Sequence, residues 1–110
     1  MELRAYPRIQ IEMPVSFSLH EIEGRSEGTL YNLSMGGCAV ESATTVQAGS
    51  HMVLYLHAPG EETPITIDLA SIQRASRREF GVKFVVVQPQ ERRRLEQLVQ
   101  KRLKQSSSAS

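Results

Sequence analysis

Arg4 and Arg8 frame the segment Arg4-Ala5-Tyr6-Pro7-Arg8, and Asn32, Ser34, Gly36 and Gly37 crowd into Asn32-Leu33-Ser34-Met35-Gly36-Gly37. The first group supplies two permanent cations. Guanidinium stays charged at every working pH and presents paired N–H donors that match two phosphate oxygens at once. The same fork fits the O6/N7 edge of a guanine or stacks on its face. The second group supplies small hydrogen-bonding side chains on a tight connection, where glycine permits a positive φ or a close backbone approach. A ligand carrying both phosphates and guanine edges would engage both groups.

Other chemistries find less support. His20, His51 and His57 fall on predicted strands with no ligand-like spacing, so no metal site is expected. Asp68 is the only aspartate and Ser34 has no evident histidine partner, which argues against a hydrolytic triad. Cys38, the only cysteine, excludes an internal disulfide and reads as a small core residue. Gly36-Gly37 is not a nucleotide-fold fingerprint, because no helix follows it. The sequence therefore describes a binder and not an enzyme, with no cofactor.

The 110 residues suit one domain, and 40% hydrophobic with 23% charged residues is the balance of a folded chain. A formal net charge of +1 is too small for bulk attraction to a nucleic acid polymer or an anionic membrane, so any electrostatic recognition is local. Glu2, Arg4 and Arg8 interrupt the order of a secretion signal, and no apolar run approaches the roughly 20 residues that span a bilayer. A cytoplasmic protein without membrane insertion is expected.

The elements that must position these groups are mostly strands. From Ile9 the chain alternates, with Ile11, Met13, Val15, Phe17 and Leu19 on one face. Pro14 cannot donate to a ladder, which predicts an edge position or a bulge there. Short strands follow over 28–33 and 38–42, joined by the Ser34-to-Gly37 turn. Met52, Leu54 and Leu56 alternate with Val53, Tyr55 and His57 in a strand apolar on both sides. The segment 63–75 alternates with an irregularity near Ala70-Ser71, and 80–87 forms the last strand. Gly, Pro and Ser turns between strands of similar length point to a small antiparallel barrel. Pro89 opens a helix to about Lys104, whose Leu95, Leu98, Val99 and Leu103 stripe should lie on the barrel. Its Arg92, Arg93, Arg94, Lys101, Arg102 and Lys104 are expected in solvent or as a docking face, and 105–110 as a frayed tail.

The arginine pair, the Asn-x-Ser-x-x-Gly turn two dozen residues later and the late Phe80-Gly81-Val82-Lys83-Phe84 strand together resemble the PilZ domain, a bacterial receptor module for cyclic di-GMP. The resemblance covers nearly the whole chain. It implies a mainly β fold: a six-stranded antiparallel barrel of Greek-key or split type with one C-terminal helix. The implied organisation is a single domain over 1–104, with a ligand-binding lead (1–9), a barrel (10–88) and a helix (89–104). It further implies that Arg4 and Arg8 clamp phosphate and guanine, that Asn32 and Ser34 meet a guanine edge, and that Gly36 and Gly37 keep the turn open. The expected function is a cyclic di-GMP receptor, a monomer or weak dimer, that changes conformation and signals to a separate effector protein. The alternative is a ligand-independent interaction protein of pilus or envelope machinery.

Two departures matter. Aspartate is commoner than Asn32 in the family, and exchanging a charged acceptor for a neutral one costs on the order of 1 kcal/mol. Leu3 stands where many relatives carry another arginine, a cation associated with a stacked pair of ligands, so one ligand per site is expected.

Overall fold

A computed structural model describes residues 7–20 and 22–108. Arg4 lies outside them. Six strands and one helix follow in order: β1 (Ile9–Leu19), β2 (Ser26–Leu33), β3 (Gly37–Glu41), β4 (His51–Leu56), β5 (Ile65–Ala75), β6 (Glu79–Val86) and α1 (Pro89–Ser108). All pairings are antiparallel and the sheet closes on itself as β1-β2-β3-β6-β5-β4. Two three-stranded meanders, β1–β3 and β4–β6, are thus seamed at β3–β6 and β1–β4.

The period of two explains the core. Met13, Val15 and Phe17 from β1, Met52, Leu54 and Leu56 from β4, and Ile65 and Ile67 from β5 turn inward and are buried, and past a register shift at Leu69 the inward parity passes to Ala70 and Ile72. Phe17 and Phe80 meet edge to face at 5.3 Å between ring centres, an arrangement their quadrupoles favour. The connection between β3 and β4 crosses one end of the barrel and drops Val46 into it. At the other end α1 packs on β5 and β1, and Leu95 and Val99 complete the core.

Pro14 is not at an edge, because a closed barrel has none. Its missing donor is tolerated because it faces the side where β4 has already ended: its carbonyl accepts from His57 N at 3.0 Å, and β1–β4 pairing begins only at Val15–Leu56. The irregularity in β1 lies just before it, where the register to β2 shifts between Gln10 and Met13. The expected break near Ala70 is present as a shift between Leu69 and Ala70.

The helix runs to Ser108, one turn beyond the expected Lys104. No glycine or proline follows Lys104 to stop it. Nor is its basic face wholly solvated. Arg94 is half-buried and donates to Glu61 at 2.9 Å, to Glu91 at 3.1 Å and to the carbonyls of Thr63 and Pro64 at 2.6 and 3.0 Å. Arg102 Nε donates to the Gln10 carbonyl at 3.2 Å. These bonds tie the helix to both ends of the sequence it covers. Leu95→Ala, which empties a fully buried site, is expected to cost about 2–5 kcal/mol in urea unfolding; a loss below about 1 kcal/mol would mean the helix is not part of the cooperative core.

Candidate ligand-binding site

Gly37 opens β3 at the seam with β6, opposite Lys83. Its φ is not positive; the positive-φ glycines are Gly24, Gly49 and Gly60. Glycine is required here for close approach, since a Cβ on Gly37 would fall 2.2 Å from the Val82 carbonyl oxygen. The preceding turn is tied on both sides. Ser34 N donates to the Gly37 carbonyl at 2.9 Å, and Phe84 N on β6 donates to the Gly36 carbonyl at 2.9 Å.

Ser34 is only 4% exposed. Its hydroxyl accepts from Gly36 N at 3.1 Å and lies 3.4 Å from the Gly37 carbonyl, so it works inside the turn as an ST-type bridge. The hydroxyl thus braces the turn from within. Asn32 is half-buried on β2, paired with Gln10 on one side and Ala39 on the other.

Arg8 directly precedes β1, and the Ile9–Leu33 pairing brings it to the level of Ser34. Arg8 Nη1 donates to Asn32 Oδ1 at 2.6 Å. Arg8 and Asn32, two dozen residues apart in sequence, are thus in direct contact. Among the described residues the other N–H groups of Arg8 and the Asn32 amide N–H groups have no partner. The pair is exposed, so this bond holds Arg8 in place without locking it.

Behind this wall Cys38 is fully enclosed. Burial pushes its thiol from the ordinary 9.0 up to about 12, against a smaller opposing pull from the Arg8 guanidinium. Sequence reasoning missed other polar partners around the barrel. Lys83, exposed and paired with Gly37, adds a cation beside the turn, as the alternation of 80–84 already implied. Tyr31 occupies the extra position where the β2–β3 register shifts, and its hydroxyl donates to Glu79. That bond, then burial, raises the Tyr31 pKa. No periodicity signals a bulge, so this pairing was not readable.

The sequence profile of the PilZ domain matches residues 2–101. The chain belongs to the PilZ domain family. By sequence, none of the curated proteins matches it. The PilZ barrel of this chain is similar to the PilZ domain of YcgR from Escherichia coli, solved with c-di-GMP, at a TM-score of 0.76 and 16% identity, covering 98% of this chain and 97% of that one. It is similar to the MrkH–c-di-GMP complex from K. pneumonia at a TM-score of 0.75 and 16% identity, covering 100% of this chain and 57% of that one. It is also similar to the inhibitor of motility MotI/DgrA from Bacillus subtilis at a TM-score of 0.73 and 22% identity, covering 94% of this chain and 53% of that one. The PilZ chain therefore spans about half the length of that inhibitor. At these identities the likeness is one of fold. No helix among the described residues is long and apolar enough to cross a membrane.

The buried thiol yields a check on the wall of the site. Cys38 should resist iodoacetamide in the folded protein at neutral pH and react on unfolding; rapid alkylation without unfolding would show the wall to be open. The same shift has a sign in stability. A native thiol titrating near 12 and an unfolded one near 9.0 mean that the native state holds the proton more tightly, so its contribution is complete below pH 9 and is lost as pH rises toward 12. Cys38→Ala should flatten that alkaline slope in pH-dependent urea unfolding, leaving the part due to Tyr31.

Proposed function

We propose that this PilZ domain is a receptor for cyclic di-GMP and that it binds the nucleotide without altering it chemically. The observation that carries the reading is the Arg8–Asn32 contact at 2.6 Å, which brings a phosphate-seeking guanidinium and a base-reading amide to one point on the barrel wall. Support comes from the family membership and from the two PilZ relatives whose solved structures contain c-di-GMP.

In this mechanism Arg8, with Arg4 from the lead, exchanges its bond to Asn32 for ligand phosphate and guanine. Release of Arg8 frees Asn32 Oδ1 to accept from a guanine N–H, while the amide N–H₂ donates to an edge acceptor. Ser34, Gly36 and Gly37 act through the turn: the Ser34 hydroxyl and the glycine backbone hold Asn32 at its angle and keep the wall low enough for a base. Folding of the lead over the nucleotide changes the surface offered to a separate effector protein, a shift driven by differential affinity for the closed state.

Calorimetric titration with cyclic di-GMP tests the reading. One nucleotide per chain is expected, and a ligand at 100 times its Kd should add about 2.7 kcal/mol of stability. Absence of both heat and melting shift would favour the ligand-independent interaction module. Arg8→Ala and Arg4→Ala should each weaken binding at least about tenfold, the loss of one charge-assisted contact, with the melting temperature unchanged. Ser34→Ala should weaken binding less, about threefold, and lower stability by about 1 kcal/mol through the turn.

A further inference from the structure

At the barrel end opposite the Arg8–Asn32 wall, two histidines meet that sequence spacing alone kept apart. Leu19 pairs with Met52 across β1 and β4, and one step further along that register sets His20 opposite His51. Their ring centres are 6.5 Å apart with the planes at 76°. Both residues are exposed, and neither ring has a hydrogen bond among the described residues. His57 is different: its Nε2 is 3.1 Å from Ser16 Oγ.

We propose that His20 and His51 form a two-point chelate for a divalent late transition metal of the zinc, nickel and copper class. Imidazole suits these ions, and a cross-strand pair is the arrangement that brings two side chains to one point with little backbone freedom to lose. A metal at about 2.1 Å from each nitrogen would hold the ring centres roughly 5 Å apart, so the pair needs to close by about 1.5 Å through side-chain rotation. The backbone beneath is braced. Gly49 N donates to the Ile72 carbonyl and Ile72 N donates to the Ser50 carbonyl, both at 2.8 Å, which pins the residues before His51 to β5.

Room for the rest of the coordination shell is present. A cleft of about 500 Å³ opens beside the pair, with Leu19, Ile22 and Val46 as apolar lining and Thr45 and Ser50 as polar lining. Among the described residues no third histidine, cysteine or carboxylate joins the two rings. The chelate therefore keeps open positions, filled by water or by a donor atom from a second molecule. Nothing in this site involves the lead or the Asn32 turn, so it stands whether or not the chain binds cyclic di-GMP.

Zinc chloride titrated into the full chain, followed by calorimetry and by the histidine ring signals in NMR, tests the site. One ion per chain is expected, with the His20 and His51 signals moving together and His57 unmoved. His20→Ala and His51→Ala should each weaken zinc binding at least tenfold; His57→Ala should leave it unchanged. Both substituted side chains are exposed, and unchanged circular dichroism will confirm that the variants are folded. Copper bound to the native chain should give a two-nitrogen electron paramagnetic resonance pattern. A His20→Ala/His51→Ala double variant that binds zinc as the native chain does, or a native chain that binds none, would overturn the proposal.

Discussion

The approach of Gly37 to the Val82 carbonyl is the constraint on which the site depends. The barrel consists of two meanders, and β3 can lie against β6 only if its first residue has no side chain. That approach sets the height at which Phe84 N reaches the Gly36 carbonyl, and hence the shape of the turn that carries Ser34. The same seam encloses Cys38 and fixes the depth of Ala39, the neighbour of Asn32. One missing Cβ thus decides the closure of the fold and the placement of its polar wall.

Charge is used locally throughout. With a net charge of +1 there is no long-range field to gather an anion, and several basic residues are already committed. Arg94 serves two carboxylates and two carbonyls at the start of β5, and Arg102 serves the Gln10 carbonyl at the β1 irregularity. Those arginines hold the helix against the barrel. Arg8 differs in having, among the described residues, a single neutral partner, which leaves its charge available to something that arrives from solution.

β1 and β4 were legible because one face of each is buried, and a period of two survives in Met13, Val15 and Phe17 and in Met52, Leu54 and Leu56. The turn and its arginine were legible as residue types. What sequence could not convey was register. The shift at Tyr31 gives that ring its reach to Glu79, and the β1–β4 pairing sets His20 against His51; neither follows from spacing along the chain. The brace that Ser34 makes within the turn was not legible for a related reason: a hydroxyl at a turn can face outward or brace the turn, and only the position of Gly36 N decides between them. Of the partners of Arg94, Glu91 is three residues back on the same helix, but Glu61 and the Thr63 and Pro64 carbonyls lie in the loop before β5, so a helix face that reads as solvated is partly anchored.

Asn32 bears on the proposed exchange in two opposing ways. An aspartate would bind guanine N–H groups more strongly, because its acceptor oxygens are charged. It would also hold Arg8 more strongly, as an ion pair that ligand phosphate must displace before the lead can close. With the neutral amide, the bond that Arg8 gives up is weaker, and so is the bond that Asn32 gains. The two effects act in opposite directions on the net affinity. They do not offset in the resting position of Arg8, which a neutral partner holds less firmly. Under the proposed closure of the lead, asparagine at this position lowers the cost of leaving the resting state at the expense of base recognition.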